Sequence, residues 1–412
     1  MIKETQKQLK IGLVSNSTWY TYNFRLGLLK RLKELDFQVL IIAPRDHYST
    51  KLIAEGFGFH HFKLSVYSKN PFRELYAVKQ LKRIYKQYQL DFIFHYTAKP
   101  NIYGSLAAWL SGIPSIAITT GLGLLRDPNA KKSAWILRQL YRLAGFLAKE
   151  VWFLNKDDLQ YFRKYKLLSS AKPFVLPSEG VNIQWYRPRN NRGVSNFTKI
   201  KFLFASRIVQ SKGASLFYEV AKNIKEKRKD VEFQMVGFVV PEHPDGISYQ
   251  EIQAWKKSGM ITYLGEAEDI RPFIENADCV VLPSYFGEGV PRILLEAASM
   301  AKPIITTDFV GCKEVVEHGV NGLLCRVRDV QSLQDQIELF VTLNNEERYQ
   351  MGIAGRKKAI LEFDEEIIIK NYLEAIYKYL APLENLKRHS ILALVRKILD
   401  YKETFELNPR GE

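Results

Sequence analysis

The chain contains few cysteines and no long apolar segment. Its three cysteines (Cys279, Cys312 and Cys325) lack the CxxC spacing of zinc and redox sites, so we expect reduced structural thiols rather than a disulfide or a bound metal. No apolar run reaches the roughly 18–20 residues needed to span a bilayer, and the polar first residues do not resemble a secretion signal. These absences favour a cytoplasmic protein.

Acidic residues are scarce in the first half of the chain. The 412 residues carry a formal net charge of +16, and residues 1–190 hold 30 of the 60 Lys and Arg residues but only 12 of the 44 Asp and Glu residues. This asymmetry favours a polyanionic partner for the first half: nucleic acid, anionic lipid or a phosphate-rich substrate. A merely basic, soluble surface is the alternative. Because no recognisable nucleic-acid-binding motif is present, we expect no nucleic acid among the partners.

A glycine-rich dinucleotide fingerprint is also missing, since the first predicted strand continues into SNSTWYTYNF. This disfavours a dinucleotide oxidoreductase. What the chain does contain is an alternation of short apolar segments with amphipathic helical patterns, beginning with LKIGLVSN, FQVLIIAP, DFIFHY, IPSIAITTG and EVWFLN. The alternation restarts at IKFLFASR and continues through VEFQMVGF, ITYLGE, CVVLPS, KPIITTD and NGLLCRV. This pattern predicts two doubly wound α/β domains with parallel sheets.

A polar linker (186–199) places the boundary between the two predicted domains. We expect an N-terminal domain over residues 1–188, a second domain over 189–365, and C-terminal helices over 366–412 that return to the N-terminal domain. Two such domains facing a central cleft would suit two substrates. After residue 380, a basic amphipathic helix is predicted, which packs on the N-terminal domain or lies on a membrane surface.

The segment SYFGEGVPRILLEAASMAKPIITTD carries two spaced glutamates. Glu288 lies in a loop after a strand, and Glu296 lies in the helix that begins near Pro291. The backbone amides from Gly289 to Ile293, together with the helix dipole, form an anion site suited to phosphate. Since the side chain of Glu296 leans toward the helix N-terminus, it can accept hydrogen bonds from a ribose diol, while Glu288 reaches the group beyond the phosphates. The spacing predicts a nucleotide-sugar site.

Two cations follow the first strand of the second domain. In FASRIVQSKGASLF, Arg207 and Lys212 bracket a loop before a helix, where they could neutralise a diphosphate leaving group without a metal. Such pairs are surface charges in most proteins, but the amide site in a neighbouring strand-end loop favours phosphate binding here. Glu266, after another strand, is predicted to border the nucleotide base.

These motifs together resemble the family-four retaining glycosyltransferases of the GT-B fold. The resemblance rests on the E-x7-E pattern in EGVPRILLEA and on SRIVQSKG, NADCVVLPS, GCKEVVEHGVNGLL and PSEGVN, and it covers roughly residues 9–380. It implies that Glu288 contacts the donor sugar, that Glu296 holds the ribose, and that Arg207 and Lys212 stabilise the leaving diphosphate. It also implies a metal-independent reaction with no cofactor besides a UDP-sugar donor. The further donor contacts that it implies are Gly289, Val290, Pro291 and Arg292.

The first domain departs from the family at Thr120, where many members carry a histidine before glycine. The segments TTGLGLLRD and SNSTWYTYNFR instead resemble the branch that acts on polyprenyl-diphosphate-linked sugars. Since a lone histidine at a strand end is more often structural, both roles are open for His95. The acceptor-binding residues that this resemblance and the strand-end positions suggest are Asn16, Ser17, Arg25, His95, Lys99 and Thr120.

A bilayer-embedded acceptor would explain the basic first half. Segments 70–89 and 129–150 are basic, and each Lys or Arg near an anionic surface is worth about 1 kcal/mol. We expect peripheral binding to the inner face of the cytoplasmic membrane. The aromatic and aliphatic residues offered to that interface are Phe72, Tyr76, Trp135, Leu140, Tyr141 and Phe146.

The predicted function is transfer of a hexose or N-acetylhexosamine, with retention, from a UDP-sugar to a polyprenyl-diphosphate-linked saccharide. Such a step belongs to the assembly of cell-surface glycans or glycoprotein glycans. A non-hydrolysing UDP-sugar epimerase of the same fold is the alternative. It would share the nucleotide site but would have no use for a basic acceptor domain.

Overall fold

The computed structural model describes residues 8–62, 71–127, 130–188, 199–287 and 289–380. The chain divides into two compact α/β units. The first unit comprises the chain up to Gly180 together with the segment from Glu365 onward, and the second unit runs from Val181 to Asp364.

The first unit is built on a parallel sheet. Its strands are β1 (Lys10–Val14), β2 (Gln38–Ala43), β3 (Gly58–His61), β4 (Phe92–Tyr96), β5 (Ser115–Thr119), β6 (Glu150–Phe153) and β7 (Lys172–Val175). They lie in the order β3-β2-β1-β4-β5-β6-β7. The connecting helices are α1 (Thr18–Glu34), α2 (His47–Ala54), α3 (Pro71–Gln87), α4 (Ser105–Trp109), α5 (Lys131–Leu147) and α6 (Lys156–Lys164). β4 and β5 are buried along their whole length, as expected for central strands covered on both faces.

The second unit repeats this architecture. Its strands are β8 (Ile200–Ala205), β9 (Val231–Val236), β10 (Thr262–Tyr263), β11 (Cys279–Leu282), β12 (Ile304–Thr307) and β13 (Gly322–Cys325). They form a parallel sheet in the order β10-β9-β8-β11-β12-β13. Its helices are α7 (Ala214–Lys227), α8 (Tyr249–Lys257), α9 (Arg271–Asn276), α10 (Arg292–Ser299), α11 (Cys312–Val315), α12 (Val330–Thr342) and α13 (Asn345–Lys358). All three cysteines are buried as free thiols.

The prediction of two doubly wound α/β domains is confirmed, and every strand named from its apolar pattern is present. The sequence did not indicate β3 and β7. Both are edge strands, and most of their residues are exposed or half-buried. Since an edge strand buries less surface than a central strand, its sequence lacks the apolar run by which the others were recognised.

The structural division falls after Gly180, whereas the polar linker placed the boundary after residue 188. The stretch between these points belongs to the second unit, because Ser299 Oγ donates to the carbonyl oxygen of Tyr186 at 2.6 Å. The amide of Val181 likewise donates to the carbonyl of Phe363 at 2.8 Å. Most of the linker, residues 189–198, lies outside the described residues.

The last described helix, α14 (Glu365–Leu380), packs on the first unit. Arg31 on α1 lies 2.7 Å from the carboxylate of Glu366. Phe94 on β4 contacts Tyr372 edge-on, with ring centroids 4.9 Å apart. Residues 381–412, which include the predicted basic amphipathic helix, lie outside the described residues.

Each sheet has one point at which the strand order reverses. In the first unit this point lies between β1 and β4, and in the second unit it lies between β8 and β11. The connections leave these two neighbouring strands in opposite directions, which opens a crevice at the carboxyl ends of the strands. The loops after β1 and β4, and those after β8 and β11, carry most of the residues that the sequence singled out.

Candidate functional site

In the second unit, the loops after β8 and β11 are bonded to each other. Arg207 is half-buried, while Lys212, at the end of a short 3₁₀ helix, is only 9% exposed. The carbonyl oxygen of Ser211 accepts from the amide of Tyr285 at 2.9 Å and from Ser284 Oγ at 3.2 Å. The cation-bearing turn is therefore attached to the loop that leads to α10.

This turn is held on both sides. Gly213 has φ +80°, and a Cβ added there would lie 2.3 Å from the carbonyl oxygen of Pro283, so only glycine permits the close approach. On the other side, the amide of Ser211 donates to Asp245 Oδ2 at 3.0 Å. The amide of Gln210 donates to the backbone carbonyl of Asp245 at 2.9 Å. Lys212 is consequently placed by a preorganised backbone.

The second loop ends at the N-terminus of α10. Pro291 is the N-cap and is extended, with φ −63° and ψ 122°. Gly289 and Val290 are buried just before it. A helix N-terminus offers amide donors and the positive end of the helix dipole to an anion. Glu288 lies outside the described residues, so its role stays a prediction.

Glu296 lies inside α10 and is 8% exposed. Its Oε1 is 3.1 Å from Arg292 Nε, and the Tyr186 hydroxyl also forms a hydrogen bond with its carboxylate. Burial raises the pKa of Glu296, and the charge of Arg292 and these hydrogen bonds oppose that rise. Arg292, whose partner the sequence did not identify, thus neutralises a buried carboxylate one helical turn below the helix N-terminus.

Glu266 lies farther from the strand-order reversal. It is exposed in the loop after β10, and β9 separates β10 from β8 in the sheet. Gly265, with φ +83°, turns the chain just before it. The role of Glu266 beside the nucleotide base stays a prediction.

In the described part of the first unit, several buried polar atoms have no hydrogen-bond partner. Three of them lie on or beside the neighbouring strands β1, β4 and β5: Oδ1 of Asn16, Nδ1 of His95 and Oγ1 of Thr119. They belong to the loop after β1, to β4 and to the end of β5. Ser17 caps α1, since its Oγ accepts from the amide of Trp19 at 3.2 Å. Unsatisfied buried polar atoms cost free energy, and a ligand bound at this edge could satisfy them.

His95 is packed within the first unit. Its ring is fully buried, and its Nε2 lies 3.1 Å from the hydroxyl of Tyr85. Burial lowers the pKa of His95 to about 3, so the imidazole is neutral. A Cβ added at Gly104 would lie 2.3 Å from the ring. The structural role of this histidine is therefore visible, and acceptor contact stays a prediction.

Arg25 and Lys99 already have acidic partners within the first unit. Arg25 is 4% exposed; it lies 2.5 Å from Glu179 Oε1, and its guanidinium stacks 3.8 Å from the ring centroid of Tyr96. Lys99 Nζ is 2.5 Å from Glu74 Oε1. Contact of either cation with an acceptor, as the sequence predicted, would require these ion pairs to open or to be shared.

Thr97 was missed by sequence reasoning. It follows β4 directly and has φ +73°, a strained conformation for a β-branched residue. Its carbonyl oxygen accepts from the amide of Asn101 at 2.9 Å. Strained backbone of this kind gathers at functional sites, but threonine gives no sequence signal for it. Thr120, half-buried, follows the neighbouring strand β5.

The described part of the chain has neither a metal-binding cluster nor a membrane-spanning helix. No group of three or more His, Cys, Asp or Glu side chains there is placed to hold a metal ion. No helix there combines the length and the apolar composition that a membrane span needs.

Two family models match the sequence. The model "Glycosyl transferase 4-like" matches residues 10–153, and "Glycosyl transferases group 1" matches residues 189–358. The N,N'-diacetylbacillosaminyl-diphospho-undecaprenol alpha-1,3-N-acetylgalactosaminyltransferase of Campylobacter jejuni is 30% identical over 380 residues, which cover 89% of this chain and 98% of the relative.

Two other proteins extend the comparison. The UDP-Gal:alpha-D-GlcNAc-diphosphoundecaprenol alpha-1,3-galactosyltransferase of Escherichia coli is 24% identical, with 80% of this chain and 87% of the relative covered. The crystal structure of Anabaena HepE in complex with UDP and glucose aligns with a TM-score of 0.74 at 19% identity, covering 90% of this chain and 99% of that one. The resemblance seen in the motifs is confirmed, and the chain belongs to the family-four glycosyltransferases of the GT-B fold.

Proposed function

We propose that this glycosyltransferase moves a hexose or N-acetylhexosamine from a UDP-sugar to a polyprenyl-diphosphate-linked saccharide, with retention of the anomeric configuration. The observation that carries the proposal is the bonded pair of loops in the second unit, which joins the turn bearing Lys212 to the loop that leads to α10. A fixed cation and a helix N-terminus on adjoining loops suit the diphosphate of a nucleotide sugar. The Campylobacter and E. coli relatives, whose names specify diphosphoundecaprenol-linked sugars, support the acceptor class.

The proposed chemistry concentrates negative charge on the leaving group. As the bond between the anomeric carbon and the diphosphate oxygen breaks, UDP gains charge that Arg207 and Lys212 would stabilise. The amides at the start of α10 would bind the remaining phosphate oxygens. Because Lys212 is almost fully buried, its charge is poorly screened and acts more strongly than it would in water.

Glu296 would hold the other end of the donor. Its carboxylate can accept hydrogen bonds from both hydroxyls of a ribose. Arg292 would remain beside it and offset the cost of its burial. Glu288, as in the family, would contact the transferred sugar.

A donor screen tests this proposal. UDP- and GDP-sugars are offered with and without a short-chain polyprenyl-diphosphate-linked N-acetylhexosamine, and nucleotide release is measured. We expect release of UDP only when the acceptor is present, and a product whose anomeric configuration, read by NMR, matches that of the donor. An epimerised UDP-sugar formed without acceptor would overturn the proposal and favour the epimerase.

The acceptor proposed here is embedded in a bilayer, so we also propose peripheral binding to the anionic inner face of the cytoplasmic membrane. In the first unit α4 packs against both α3 and α5. Lys131 and Lys132 are exposed at the start of α5, and Leu140 is half-buried. The exposed large apolar side chains of this helix group, among the described residues, are Phe72, Leu75, Tyr76, Trp109, Trp135, Ile136, Leu143 and Phe146.

Some residues of α5 that the sequence predicted to contact the membrane face the protein instead. Tyr141 is buried and contacts Phe162, with ring centroids 5.1 Å apart, so its predicted interface role is wrong. It belongs to a buried apolar cluster with Val151 and Phe153 of β6. Arg138 Nε donates to the hydroxyl of Tyr161 at 3.0 Å, and Arg142 donates to two backbone carbonyls near the end of α6. The basic stripe of α5 is therefore partly used in packing.

Vesicle flotation tests the membrane proposal. The chain is expected to float with vesicles containing phosphatidylglycerol, less so in 0.5 M salt, and not with pure phosphatidylcholine. Replacing Trp135 and Phe146 together with serine should weaken binding at least several-fold, because both insert apolar area into the interface. Tyr349→Ser, an exposed aromatic of the second unit, is the matched control. Binding that ignores salt and lipid charge would contradict the proposal.

A further inference from the structure

The loop after β5 is tied to α6 by a buried ion pair. Arg126, at the end of this loop, donates from Nε and NH2 to Asp158 Oδ1, at 3.2 and 2.9 Å. The Asp158 side chain has no exposed area, whereas that of Arg126 is 25% exposed. The other oxygen, Oδ2, accepts from Asn155 Nδ2 at 3.1 Å. Both carboxylate oxygens thus have partners, and the loop supplies the only cation among those contacts.

A second bond joins the same two elements. The hydroxyl of Tyr161, one turn further along α6, donates to the carbonyl oxygen of Leu125 at 2.7 Å. The guanidinium of Arg126 lies 5.6 Å from the Tyr161 ring centroid. Gly121 and Gly123 have φ of +131° and +44°, so the loop backbone itself adopts conformations that other residues avoid. The loop also has internal backbone bonds, from the amide of Leu125 to the carbonyl of Leu122 and from the amide of Arg126 to the carbonyl of Gly123, so the contacts with α6 add a side-chain attachment at its far end.

We propose that Asp158 is a positioning residue: through Arg126 it holds the loop 120–126, at the carboxyl end of β5, in the shape that binds the acceptor. The acceptor part of this statement rests on the proposed function. A buried ion pair adds little net stability compared with apolar packing, so stability alone gives little reason for a carboxylate at this position. The loop follows the strand whose last residue, Thr119, carries an unpartnered buried hydroxyl.

The surroundings of Asp158 make the attachment sensitive to pH. Burial raises the pKa of Asp158 to about 6, although Arg126 and Asn155 oppose the rise, and neighbouring Asp157 adds to it. Tyr141, from α5, also interacts electrostatically with the Asp158 carboxylate, and burial raises the pKa of that phenol. Below about pH 6 the carboxylate is therefore protonated and the ion pair with Arg126 is lost.

The effect of Asp158 protonation on the free energy of unfolding distinguishes release of the loop from unfolding of the chain. Since the pKa of Asp158 is higher in the folded chain than in the unfolded chain, protonation between about pH 6 and pH 4 makes this group's contribution to stability more favourable. A fall in acceptor binding in that window would not come from global unfolding driven by this residue. It would instead indicate that loop 120–126 has been released from α6.

The test compares wild type with Asp158→Asn, which keeps the shape and the bond to Asn155 but removes the charge. The acceptor is the same short-chain polyprenyl-diphosphate-linked N-acetylhexosamine. At pH 7.5 the variant is expected to raise the acceptor KM about tenfold, with donor KM unchanged. The wild-type kcat/KM for acceptor should fall as pH drops through about 6, and the variant should lack that fall. Asp157→Asn, one residue away, should keep the wild-type acceptor KM at pH 7.5, because Arg126 pairs with Asp158, whereas the charge of Asp157 acts on the pKa of Asp158.

Hydrogen exchange supplies a readout that needs no substrate. Peptides covering residues 120–127 should exchange several-fold faster in Asp158→Asn than in wild type at pH 7.5, and Arg126→Gln should give the same increase. Unchanged exchange in both variants would overturn the inference whatever the enzyme transfers. If exchange rises but the acceptor KM does not, the loop is held by Asp158 but does not bind the acceptor. Absence of any transfer by wild type would instead count against the proposed function.

Discussion

Replacing Lys212 with alanine is expected to lower kcat by about 10²–10³-fold, with a much smaller change in the KM for the UDP-sugar. The reason is that charge on the departing diphosphate is greatest in the transition state. The lysine is only 9% exposed and lies on a turn held by backbone bonds to the loops of Asp245 and Tyr285. A preorganised cation of this kind acts on developing charge without having to reorganise.

Steady-state kinetics at saturating acceptor check this expectation. Lys222→Ala, on the exposed face of α7 in the same unit, is the matched control and should keep wild-type kinetics. Lys212→Arg should recover part of the activity, because the charge is kept while its position changes. An unchanged kcat for Lys212→Ala would mean that the diphosphate site is misplaced.

Replacing Glu296 with alanine should instead act mainly on binding, raising the KM for the UDP-sugar about 10- to 100-fold with little change in kcat. The carboxylate is buried beside Arg292 and the Tyr186 hydroxyl, where hydrogen bonds to ribose would be shielded from water. Since burial raises the pKa of Glu296, the donor kcat/KM should fall as pH is lowered through that pKa. Glu296→Gln should lack this acidic limb, because the amide does not titrate.

Two controls keep the Glu296 result interpretable. The alanine variant leaves Arg292 without its carboxylate partner, so its thermal midpoint must be measured beside its kinetics. Glu226→Ala, on an exposed position of α7, removes a helical glutamate elsewhere in the unit and should change neither value. Wild-type KM in a folded Glu296→Ala protein would separate this residue from the donor.

The prediction of the donor site rests on local sequence. The loop containing Arg207 and Lys212 and the spacing of Glu288 and Glu296 are patterns within short stretches, and such patterns can be found without knowing the fold. Beside the predicted acceptor residues, the structure adds one position that no local pattern indicates. Thr97 has no sequence signal, since its positive φ is imposed by its surroundings.

Contacts between side chains that lie far apart in the sequence could not be predicted from local patterns either. The sequence offered Arg25 to an acceptor, but its partner Glu179 lies far along the chain. The sequence predicted a membrane contact for Tyr141, but the tyrosine packs against Phe162 on α6. The ion pair of Arg126 with Asp158 joins two segments that no motif connects. In each case the decisive neighbour is set by packing rather than by spacing.

The sequence by itself determined the α/β alternation, the family and the residue types available for phosphate binding, because apolar periodicity and motif spacing are local properties of a chain. Only the tertiary structure decided which loops meet. β8 lies beside β11, although three helices and two strands separate them in sequence, and β1 lies beside β4 in the same way. Strand order depends on how crossovers pack, and burial depends on residues distant along the chain. For that reason three features are properties of the folded protein: the attachment of the Lys212 turn to the neighbouring loop, the partner of Glu296, and the ion pair by which Asp158 attaches the loop of Arg126.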